Sequence, residues 1–89
     1  MEYLKDVRIR LDEIDREIIR LFTERMKISE EVAKIKSENN LPVFDEKREK
    51  EKLSRCCDMV SPEDRAETME FMQFLMDKSK EKQRKIIEK

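Results

Sequence analysis

The stretch LKDVRIRLDEIDREIIRLFTERMKISEEVAKIKSEN, residues 4–39, contains neither Pro nor Gly, and its reading decides the fold. Apolar residues recur at Leu4, Val7, Leu11, Ile14, Ile18, Leu21, Ile28, Val32 and Ile35. Steps of three and four are the seam of a packed helix. At ~1.5 Å per residue this helix runs roughly 50 Å. The shorter helices left to the rest of the chain cannot cover that length. A continuous apolar seam therefore implies a second chain along it, in a dimer that shares the long helices.

Outward from this stretch, Asn39-Asn40-Leu41-Pro42 ends the helix, because Asn suits a helix C-terminus and Pro forbids continuation. Asp45 reads as the N-cap of a second helix, about 46–58. Ser61-Pro62-Glu63-Asp64 opens a third, about 62–87. There Ser caps, Pro takes the first helical position and the acids meet the positive end of the dipole. The apolar line of this helix runs through Met69, Met72 and Met76 to Ile86. The expected fold class is all-α: three helices, the first about 3–39, in an intertwined helical homodimer. Residues 1–89 form a single domain on this reading.

Composition agrees. Charged residues make up 48% of the 89-residue chain and apolar ones 37%, so one chain has little from which to build a core. The absence of Gly and the presence of only two Pro disfavour hairpins and multistranded sheets. Net charge is −1, with 21 basic against 22 acidic residues. No overall positive field draws in nucleic acid or an anionic membrane, so any anion site must be local. No apolar run serves as a signal peptide or membrane span, and a cytoplasmic location is expected. Cys56 and Cys57 are adjacent, and the chain has no His. A Cys/His metal site is thereby excluded, and both read as reduced helix residues.

The chemistry shows as interruptions in the apolar lines. Stepping from Leu21 to Ile28 lands on Arg25, and stepping from Met76 to Ile86 lands on Ser79 and Gln83. A guanidinium on a buried seam is costly unless it meets an anion. An internal ion pair for Arg25, or hydrogen bonds between helices for Ser79 and Gln83, would be the structural alternative. Lys36 lies about three turns beyond Arg25 and can share its face. Arg8 would approach from the other chain of an antiparallel pair. Arg48 and Glu49 fall in the first turn of the second helix, beside free backbone N–H groups. For these four a solvated charged face is the alternative. Gathered together, several cations, a carboxylate, an amide and a hydroxyl suit a small dianion carrying a hydroxyl and an ether. With no His, no evident Ser/base dyad and no Gly-rich phosphate loop, such a site works by positioning and electrostatics.

Leu11-Asp12-Glu13-Ile14-Asp15 followed by Leu21-Phe22-Thr23-Glu24-Arg25 resembles the opening helix of the all-α class of chorismate mutases. Val32-Ala33-Lys34-Ile35-Lys36, Leu41-Pro42-Val43-Phe44-Asp45, Arg48-Glu49 and Ser79 with Gln83 continue the likeness over nearly the whole chain. The resemblance implies an isomerase of aromatic amino-acid biosynthesis, converting chorismate to prephenate. It implies Arg25, Arg48 and Lys36 as cationic substrate contacts, with Arg8 supplied across a homodimer interface. It also implies Lys36 and Gln83 on the substrate's ether oxygen, Glu49 on its hydroxyl, Asp45 through its backbone, and Ser79 on a carboxylate. The reaction is an intramolecular Claisen rearrangement, for which no metal or cofactor is required. Three departures from the family pattern stand out: the connection between helices two and three is slightly short, Phe44 replaces a more polar residue, and Lys80 stands where an apolar pocket residue is expected. An isochorismate pyruvate lyase on the same scaffold, or a non-catalytic helical interaction module, would be the rival readings.

Overall fold

The computed structural model describes residues 1–88. Its elements are α1 (Glu2–Glu38), α2 (Glu46–Cys57), a 3₁₀ turn (Pro62–Asp64) and α3 (Arg65–Ile87). No strand occurs among the described residues.

Residue-level chemistry explains how α1 ends. Asn40 takes a left-handed backbone with φ 54°, a conformation that Asn tolerates better than most residues. The Leu41 N–H then reaches back to the Lys36 carbonyl at 2.8 Å, and the Asn40 N–H to Ser37 at 3.4 Å. This is the Schellman closure, made here with Asn in a chain that has no Gly. The Asn39 side chain adds a bond to the Ile35 carbonyl at 2.8 Å. Asp45 begins α2, its carboxylate accepting the Arg48 N–H at 3.0 Å.

The start of the third helix differs from the sequence reading. Pro62 opens a 3₁₀ turn, and the Ser61 hydroxyl makes no capping bond. The Asp64 N–H instead finds the Ser61 carbonyl at 2.9 Å, so the tight turn already serves a donor the hydroxyl would have served. Arg65, first in α3, donates from Nε to the Cys57 carbonyl at 3.1 Å and ties α3 to the end of α2. Both cysteines are free, with Cys56 buried.

The chain measures 56 × 29 × 14 Å. The long dimension is that of α1, and α3 packs against both α1 and α2 in a thin, elongated body. So thin a body encloses little interior, and among the described residues only Ser29, Ala33, Cys56, Met76 and Gln83 are buried. Small Ser29 and Ala33 stand one turn apart on α1 and form its buried face toward α3. The apolar seam lies elsewhere: Ile28 and Ile35 remain 55% and 56% exposed. From Arg8 to Leu21 every residue is exposed. The accessible surface is 7416 Å², against about 5,600 Å² for a compact monomer of this mass.

Among the described residues, no helix is long and apolar enough to cross a membrane.

Ala33 is completely buried. Ala33→Leu is expected to force α1 from α3 and cost about 1–3 kcal/mol. Urea denaturation measures this, and an unchanged midpoint would show that the site has room for a larger side chain.

Candidate active site

One cavity of about 280 Å³ lies where the second half of α1, the loop to α2, the start of α2 and the second half of α3 converge. It is at the small end for ligand pockets, which run roughly 300–1,000 Å³. Arg25, Ser29, Val32 and Lys36 line it from α1, spaced four, three and four apart, and therefore share one helix face. Asp45, Arg48, Glu49 and Lys52 line it from the start of α2, and Met76, Ser79, Lys80 and Gln83 from α3.

Arg25 donates through Nη1 to the Leu75 carbonyl at 3.1 Å. It makes no ion pair among the described residues. Burial pushes its pKa below the ordinary arginine value, the signature of a charge desolvated without a counter-ion. The internal ion pair that would have explained Arg25 structurally does not form. Lys36 extends from the last turn of α1 to the Val43 carbonyl, its Nζ at 2.7 Å. The Schellman turn fixes this register, since the Lys36 carbonyl accepts the closing bond. Lys36, Arg48 and Lys52 likewise have no carboxylate partner among the described residues.

Three side chains form a directed hydrogen-bond chain across the α1–α3 contact. Ser29 Oγ donates to the Arg25 carbonyl at 3.0 Å. Its proton is thereby spent, so Ser79 donates in the 2.6 Å bond to Ser29. Ser79 in turn accepts from Gln83 Nε2 at 3.1 Å. The direction of the chain fixes which way the Gln83 amide faces. Gln83 Oε1 is left buried with no partner, and one Nε2 hydrogen remains uncommitted. Leaving such a buried acceptor unpaired is costly.

Glu49 is bound on both oxygens. Lys80 Nζ lies 2.8 Å from Oε2, and Gln73 Nε2 donates to Oε1 at a longer 3.4 Å. The hydrogen bond to Glu49, reinforced by Asp77, holds the Lys80 pKa above the ordinary lysine value. The lining thus carries five cations and two carboxylates, of which Glu49 is already neutralised. Its electrostatic character is that of an anion site walled by Ile28, Val32, Val43 and Met76.

Of the residues singled out in the sequence, Arg25, Lys36, Asp45, Arg48, Glu49, Ser79 and Gln83 all line this cavity. Arg8 does not. It lies near the start of α1 among Met1, Leu4 and Asp12, roughly 25 Å along the helix from Arg25 at ~1.5 Å per residue. Ser29, Lys52 and Lys80 line the cavity without having been singled out as site residues. Helical spacing could have found the first two, since Ser29 is four residues beyond Arg25 and Lys52 four beyond Arg48. No group of His, Cys, Asp and Glu that could hold a metal ion occurs among the described residues.

Among curated proteins, the chain is 47% identical over 51 residues to a bifunctional chorismate mutase/prephenate dehydratase of Aquifex aeolicus, covering 57% of this chain and 14% of that one. It is 43% identical over 49 residues to a T-protein of Haemophilus influenzae, covering 55% and 13%. It is 40% identical over 50 residues to a chorismate mutase of Methanocaldococcus jannaschii, covering 56% and 50%. The matched segments thus span half or less of each relative's own length. No solved structure matches the chain significantly. The model of one family, chorismate mutase type II, matches residues 7–84, most of the chain's length, and the chain belongs to that family.

Proposed function

We propose that this chain is a chorismate mutase, an isomerase that rearranges chorismate to prephenate in aromatic amino-acid biosynthesis. The observation that carries the reading is the cavity in which Arg25, Lys36 and Arg48, without carboxylate partners among the described residues, stand with a half-committed Gln83 amide. Family membership and relatives named chorismate mutase support it.

Chorismate is a dianion with a ring hydroxyl and an ether linkage. Arg25 and Arg48 clamp its carboxylates, with Ser79 as a further contact, and hold the compact conformer in which the reacting carbons meet. Glu49 accepts from the hydroxyl, and Asp45 contributes through its backbone. The ether C–O bond breaks as the new C–C bond forms, within one molecule, and negative charge grows on the ether oxygen. Lys36 and Gln83 donate to that oxygen, and their bonds strengthen in the transition state. The residues move no proton and use no nucleophile, metal or cofactor.

The active assembly in this proposal is a cytoplasmic homodimer of intertwined chains, each a single domain over residues 1–89, with Arg8 completing the partner's cavity. Support comes from the uncovered seam. Leu11, Ile14, Ile18 and Leu21 are 45–55% exposed in the single chain. The surface beyond that of a compact monomer is about 1,800 Å² per chain. Two such faces together reach the range of obligate dimers, roughly 2,000–5,000 Å².

Incubation with chorismate, following its loss and the appearance of prephenate, tests the function. Release of pyruvate from isochorismate, with chorismate untouched, would assign the lyase instead. Lys36→Ala is expected to lower kcat by about 10²–10³-fold with helical content retained, and near-normal turnover would remove Lys36 from the mechanism. Gln83→Glu is expected to move the activity profile toward acid, because only the protonated carboxyl donates to the ether oxygen. An unchanged profile would count against that contact. Sedimentation is expected to give twice the 10.9 kDa chain mass, and Ile14→Glu to reduce it to the single chain with loss of activity.

A further inference from the structure

Lys80 is a cavity residue to which the mechanism above gives no task. It takes part in the one ion pair among the described residues with both partners largely shielded, Lys80 and Glu49 being 15% and 16% exposed. Every other pair has at least one partner 43% or more exposed. Three groups fix its ammonium: Glu49 at 2.8 Å, Asp77 at 3.3 Å, and the Phe44 ring, whose centroid is 4.9 Å away.

Glu49 has a candidate partner closer in sequence, on its own helix. Lys52 is three residues on, at the spacing where helical ion pairs form readily, and Arg48 is its direct neighbour. The carboxylate nevertheless turns to α3, where Gln73 takes its second oxygen. Left loose, Glu49 would stand among Arg25, Arg48 and Lys52 as an internal anion, competing with a dianionic substrate for the same charges.

We propose that Lys80 is a positioning residue that parks the Glu49 carboxylate on α3 and keeps the cavity's remaining cations free for substrate. The proposal rests on the chorismate mutase reading and adds to it a role for a lining residue that acts through Glu49. Lys80 and Gln73 each use one lone pair of Glu49, so both oxygens can still accept from the substrate's hydroxyl.

A double-mutant cycle in the full-length protein tests this, with KM and kcat for chorismate measured for wild type, Lys80→Met, Glu49→Gln and the double variant. Lys80→Met is expected to raise KM about tenfold with kcat within about threefold, since freed Glu49 competes with the substrate. With Glu49→Gln already present, adding Lys80→Met is expected to change KM less than about twofold, because no carboxylate is left to park. An unchanged KM in the single variant overturns the proposal. So does an equal rise on the Glu49→Gln background, which would make Lys80 a direct substrate contact. Should Lys80→Met fail to fold by circular dichroism, the KM ratio between Glu49→Gln and the double variant still separates parking from direct contact. Wild-type protein inert toward chorismate overturns the underlying function and this role with it, a result distinct from either failure above.

Discussion

The close approach of α1 and α3 at Ser29 and Ala33 is the constraint on which the site depends. Two small residues one turn apart allow the helix backbones to near each other. That proximity brings the Ser29 and Ser79 hydroxyls within 2.6 Å. From there the order passes to Gln83 on one side and to the Arg25 carbonyl on the other. The same contact sets Arg25 against the Leu75 carbonyl. A polar seam between helices is specific where an apolar one is permissive, because each hydroxyl satisfies one partner in one direction.

The cavity is electrostatically unfinished. Arg25 is partly desolvated with only a neutral carbonyl for company. An isolated chain gains nothing from that arrangement, since a buried cation without an anion loses hydration it does not recover. Under the proposed function, the dianionic substrate would supply the missing counter-charge, and in low-dielectric surroundings its attraction to fixed cations would exceed what water allows. The protein carries this imbalance locally while its total charge stays at −1. On that proposal, selectivity for an anion would arise from placement and not from an overall field.

Much of this was legible in the residues. Arg25, Ser79 and Gln83 stood out because each falls on an otherwise apolar helical line, and the structure sets all three on one cavity. Asp45 was legible as a cap and Pro42 as a break, since their chemistry is local. Lys80 was visible as a departure but not as part of a network. In a chain 48% charged, one more lysine offers no contrast, and its partner Glu49 lies far away in sequence. Ser29 escaped because serine is ordinary on either face of a helix. The α1 seam was read from its period, yet within one chain the buried face is that of Ser29 and Ala33. Periodicity reveals that a face wants cover but not which neighbour covers it. Ser61 misled because its carbonyl, not its hydroxyl, serves the turn.

The stretch of α1 from Arg8 to Leu21 touches nothing of its own chain deeply enough to be sheltered. Lone helices of such length are only marginally populated in water. Under the proposed pairing, this segment acquires lasting order in the same encounter that brings two chains together. Assembly and folding are then one bimolecular event, and the speed at which competent protein forms is governed by how many chains share the solution.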